Sequence, residues 1–143
     1  MRIQSEDHRH CIQLKFQEVN MLYYPSVRAQ IEASAYDFSA SMHSVWFSLD
    51  EMHVFLTDLV RLKQQRAETT VLAGMSPSEA VLSIQKIDRV GHMIAKIDLT
   101  RTLPSVSWNI EQHLSIAFEI DVSLLPSLIR SFERLIPKDE NEQ

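Results

Sequence analysis

Apolar and polar positions alternate with a period of two over several short stretches of this chain, the pattern of half-buried strands. In "CIQLKFQEV" (11–19) Ile12, Leu14 and Phe16 oppose Gln13, Lys15 and Gln17. In "SVRAQIEASAYDF" (26–38) Val27, Ala29, Ile31, Ala33 and Ala35 point one way. Arg28, Gln30, Glu32, Ser34 and Tyr36 point the other. Residues 38–47 read as a third strand in which Phe38, Ala40 and Met42 share a parity that Val45 and Phe47 then break. A bulge near Ser44 would account for the break. Further strands are expected at 69–74, 80–87 and 91–100, with short turn-rich links that indicate an antiparallel meander. Residues 107–120 supply one long strand or two, with Leu114, Ile116, Phe118 and Ile120 on one face.

Two stretches change to the helical period. Over 48–65, Met52, Phe55, Leu56, Leu59 and Leu62 form one stripe, and Arg61, Lys63 and Arg66 suit the negative end of the helix dipole. Ser48 and Glu51 read as a capping box, each side chain bonding the other's backbone N–H. Over 123–136, Leu125, Leu128, Ile129, Phe132, Leu135 and Ile136 repeat the stripe. Laying Ser48 on Asp121 superposes the two helical stripes and the strand exits before them. Pro126 interrupts the equivalence, because it removes an early helical N–H if Asp121 is the cap; Ser123 is the other candidate. Two helices with one apolar stripe each need a sheet to cover. The expected fold is α+β, an antiparallel sheet of about six to seven strands with two main helices packed on one face.

The length, 143 residues, suits one domain with a real core, and residues 1–10 and 138–143 read as flexible termini. The polar start, "MRIQSEDHRH", has no secretory h-region, and no apolar run approaches a membrane span. Cys11 is the only cysteine and cannot form an internal disulfide, which fits the cytoplasm. A net charge of −5 disfavours direct nucleic-acid binding and favours a basic partner. Gly74 and Gly91 are the only glycines, so a Rossmann fingerprint or a Walker loop is excluded.

Candidate chemistry is sparse. His8 and His10 in "DHRHC" have H-x-H spacing, but a metal site needs further ligands, and the segment reads as a mobile terminus. His43, His53, His92 and His113 are scattered, and no nucleophile elbow, zinc-protease helix or C-x-x-C pair accompanies them. Cys11 acts as a nucleophile only if the fold brings it a histidine. No catalytic residue, metal or cofactor is therefore expected. Glu32, Asp98 and Glu119 take the polar parity of strands. Tyr36 shares that parity, Trp108 follows a proline-containing loop, and Trp46 beside Phe47 reads as core. An exposed aromatic among acids is a plausible interface anchor.

The order of these elements resembles a known family. A strand-rich first half enters "LDEMHVFLTDLVRL"; a meander with "VLSIQKIDRVGHMIAKIDL" follows, then "LSIAFEIDVSLLPSLIRSFERLI". This is similar to the WapI-type immunity proteins over roughly residues 12–136, most tellingly at Asp88–His92 and at the strand ending in Asp121. The resemblance implies a cytoplasmic inhibitor from a polymorphic or contact-dependent toxin system. Such a protein binds and neutralises a cognate toxin domain, basic and nuclease-like, by occluding its active site, and has no activity of its own. It transfers no catalytic residues. The candidate toxin-interface residues are Glu32, Tyr36, Asp98, Trp108, Glu111 and Glu119. The rival readings are a small enzyme with an unfamiliar site and a self-associating adaptor domain. A pocket holding a group of strongly shifted pKa would favour the first, and a large apolar patch the second.

Overall fold

The computed structural model describes residues 1–105 and 107–136. Strands β1 (Arg2–Gln4), β2 (His10–Asn20), β3 (Ser26–Ala35) and β4 (Phe38–Ser48) lie side by side in chain order, and helix α1 (Leu49–Lys63) follows. The same plan is then repeated. Strands β5 (Thr69–Ala73), β6 (Ala80–Lys86), β7 (His92–Pro104) and β8 (Asn109–Asp121) form a second antiparallel sheet in chain order, and helix α2 (Leu125–Leu135) follows. The class is α+β, as the patterning indicates. The strands, however, divide into two four-stranded sheets instead of the one sheet expected. Period-two patterning identifies strands without saying which are neighbours. Here α1 carries the chain away from β4, and β5 starts a new ladder with β6. The sheets meet where the Met75 N–H donates to the Trp46 carbonyl at 2.8 Å.

The expected bulge is present in β4. Ala29 pairs with Val45 and Ile31 with Met42, so His43 and Ser44 stand opposite Gln30 alone. This extra residue turns Val45 and Phe47 inward, and both are buried. Trp46 alternates outward and is only half-buried, not core.

At α1 the Ser48 hydroxyl oxygen accepts the Glu51 N–H at 3.1 Å, the Ser48 half of the predicted box. The exit of β8 differs from both expected caps. Asp121 accepts the Ser123 N–H at 2.9 Å and starts a 3-10 turn over Val122–Leu124, not α2 itself. Pro126 then occupies the first turn of α2, where its missing N–H costs nothing.

One hydrophobic cluster takes residues from both sheets and both helices. Its centre includes Phe55 of α1 and Phe132 of α2, both fully buried, with ring centroids 5.0 Å apart and planes at 63°. Phe16 of β2 meets Phe132 edge-on at 6.0 Å. The Thr70 hydroxyl donates to the Phe55 carbonyl at 3.3 Å and so ties α1 to β5.

Residues 1–10 are not frayed. Ile3 is fully buried opposite Ile12 in β1, and the Met1 ammonium donates to the Leu14 carbonyl at 2.8 Å. Asp7 closes the following turn by accepting from the Ser5 hydroxyl (2.6 Å) and the Arg9 N–H (3.1 Å). One apolar residue in a three-residue strand leaves no periodicity to read. Residues 138–143 lie outside the described residues.

Candidate functional site

The long β7–β8 hairpin carries four of the six interface candidates. Its outward parity holds Asp98 on β7 and Glu111 and Glu119 on β8. Trp108 stands beside the turn, immediately before β8. The carboxylates have weak, exposed partners: Asp98 lies 3.6 Å from Lys96 Nζ, and Glu119 lies 3.7 Å from His92 Nε2. Glu111 lies 3.1 Å from His113 Nε2, whose Nδ1 is 3.0 Å from the Thr100 hydroxyl. Exposed pairs of this kind contribute little to stability, so these groups remain available to a partner.

The other two candidates lie elsewhere. Glu32 is on the outer face of the first sheet, 4.0 Å from Lys15, and lines an open cleft with Arg2, Cys11 and Gln13. Tyr36 does not share the strand face of Glu32. Strand β3 ends at Ala35, and Tyr36 sits in the β3–β4 turn with φ of 52°. There Arg9 lies over its ring at 5.2 Å and donates to its hydroxyl at 3.4 Å, while the His10 ring meets it edge-on. The ring of His10 also stacks on Phe118 at 5.4 Å, which joins the first sheet to β8.

Beside that contact is an open cleft of about 460 Å³, with Glu6 and Asp7 on one wall and Glu119 and Asp121 on the other; His10 and His92 complete it. Among the described residues no group of three or more histidine, cysteine or acidic side chains could hold a metal ion. His8 stands in the β1–β2 turn and His10 in β2, so the H-x-H pair is split between turn and strand. Cys11 is half-buried in β2.

The structure also exposes the link between the first two patterned strands. Met21, Leu22, Tyr23 and Tyr24 at the β2–β3 tip are all exposed, and Tyr23 is at 105% of its reference area with φ of 63°. Left-handed backbone on a bulky residue is uncommon. The Leu22 N–H donates to the Asn20 side chain at 3.0 Å and helps to hold the turn. The signal was available in the sequence, since turns are normally built from Gly, Pro, Asn, Asp and Ser.

Among the described residues no helix is long and apolar enough to cross a membrane. The model of a family described as the immunity protein WapI-like family matches residues 3–138. No curated protein and no solved structure matches the chain.

Proposed function

The chain belongs to the WapI-like immunity protein family, and from that premise we propose that it binds a basic, nuclease-like cognate toxin domain in the bacterial cytoplasm. It blocks the toxin's active site stoichiometrically and performs no catalysis of its own. The family match over residues 3–138 is the observation that carries this reading, because an immunity protein implies a toxin partner. The geometry supports it with an exposed hairpin bearing Asp98, Trp108, Glu111 and Glu119. A net charge of −5 favours a partner of opposite sign.

The reading is tested with the toxin domain encoded beside this chain. The purified proteins are expected to form a one-to-one complex, and toxin activity to vanish as the molar ratio reaches unity. Co-expression should restore growth to cells making the toxin. Full toxin activity under a saturating excess of this protein would overturn the reading.

A further inference from the structure

The β7–β8 hairpin runs on past its last pair with β6: the Thr100 N–H still donates to the Glu79 carbonyl at 2.9 Å, and Thr100, Arg101 and Thr102 line an open cleft with Ser41–Ser44 of β4. Pairing with β6 ends at the Ala80–Leu99 pair, whereas the β7–β8 ladder continues through Thr100–His113 to Pro104–Asn109. Arg101–Pro104 and Asn109–His113 are exposed on both faces, so the core contributes little there. A two-stranded ribbon is marginally stable on its own in water and would ordinarily be polar. This one is not. Its core-parity face places Leu103 (37% exposed) directly across from Ile110 (51%), with Trp108 (76%) beside the turn.

Ser105 also fixes the backbone of Trp108. The Ser105 N–H and hydroxyl donate to the Trp108 carbonyl at 2.9 and 2.7 Å, and the Trp108 N–H donates to the Ser105 oxygen at 3.0 Å. A tryptophan whose backbone is already fixed has only its two side-chain torsions left to order on binding. Tryptophan is also among the residues most enriched at binding hot spots.

We propose that the β7–β8 ribbon is the segment that enters the toxin, with Trp108 as anchor and Leu103 and Ile110 lining its apolar side. The inference rests on the immunity reading above and specifies its contact surface. The partner's cleft is apolar within and basic at its rim, because Glu111 stands on the outer parity of the ribbon and Asp98 and Glu119 continue that face toward the body of the sheet. Charge argues against the other occupants. A second copy carries the same −5, and antiparallel pairing of two β8 strands about Ser115 would set Glu111 against Glu119 of the other copy. An anionic membrane surface would likewise repel an acidic protein.

The test measures affinity and dissociation rate for the neighbouring toxin domain with wild type, Trp108→Ala, a Leu103→Ser/Ile110→Ser double variant, and Leu22→Ser/Tyr23→Ser at the other exposed tip. Trp108→Ala should weaken binding at least about 30-fold, mostly through faster dissociation. The Leu22/Tyr23 variant should stay within about 3-fold of wild type, as contacts outside a hot spot do. If wild type binds and both ribbon variants stay within about 3-fold of it, the ribbon inference fails while the immunity reading stands. No binding by wild type sinks both. A concentration-dependent dimer lost in Trp108→Ala would assign the ribbon to a second copy and overturn the proposal. Should the variants unfold, amide exchange of wild type still decides: residues 101–103 and 109–113 must slow in the complex, and unchanged exchange there refutes the ribbon.

Discussion

Asp88 binds the turn that follows it four times. Its Oδ1 accepts the N–H groups of Val90, Gly91 and His92 at 2.8, 3.1 and 3.2 Å, and its Oδ2 lies 2.6 Å from His92 Nδ1. The His92 side-chain hydrogen bond and then the His92 N–H hold the Asp88 carboxyl down to about 2. The same bond, followed by the Asp88 charge, raises His92 above its ordinary 6.5. The signs of the two linkages differ. Stabilisation by Asp88 is present above about pH 4 and is lost as pH falls toward its lowered pKa. Stabilisation by His92 is complete below about pH 6.5 and is lost as pH rises through its raised pKa. The pair therefore contributes most between those values. In Asp88→Asn the His92 pKa, followed by NMR titration, should fall toward its ordinary value; an unmoved His92 pKa would refute the pairing. Gly91 completes the turn, with φ of +115° and a Cβ position only 3.0 Å from Val122 Cγ1. Asp-x-x-Gly-His was legible as a turn before a strand. Tyr36 was not, because its parity continues β3 while its backbone already turns.

At the scale of elements, strong periodicity and the Ser48 cap were reliable, whereas the short strand β1 and the start of α2 were not. Both helical stripes lie where their spacing puts them, since each needs an apolar surface to cover and β-sheet faces supply it. The parity break at Val45 identified a bulge because a change of buried face needs an extra residue. Strand β1 has only Ile3 to signal burial, and the 3-10 turn after Asp121 spans three residues, too few to show a period. The helix pairing makes a quantitative demand. Phe55 has no exposed area and meets Phe132 across the α1–α2 contact. Phe55→Ala should therefore lower unfolding free energy by about 3–5 kcal/mol in denaturant titration. A loss below about 1 kcal/mol would mean that α1 does not pack as described.

The whole molecule is one plan used twice, four antiparallel strands in chain order and then a helix, with the two helices meeting over a shared core. The superposable helical stripes exposed this repetition in the sequence; the division into two sheets stayed hidden because patterning carries no neighbour relations. That division also separates the acidic candidates, with Glu32 on one sheet and Glu111 and Glu119 on the other. At about 0.15 M salt the Debye length is roughly 8 Å, so charges near the contact steer association far more than distant ones. A Glu111→Lys/Glu119→Lys double variant should thus associate with the toxin domain roughly 10-fold more slowly at low salt. Its rate should also fall less steeply as salt rises. At about 0.15 M salt Glu32→Lys should leave the association rate near wild type if the β7–β8 hairpin is the docking side. Stopped-flow association against ionic strength for the three proteins separates the cases. A wild-type rate indifferent to salt eliminates steering, and a larger loss in Glu32→Lys than in the double variant moves the contact to the first sheet.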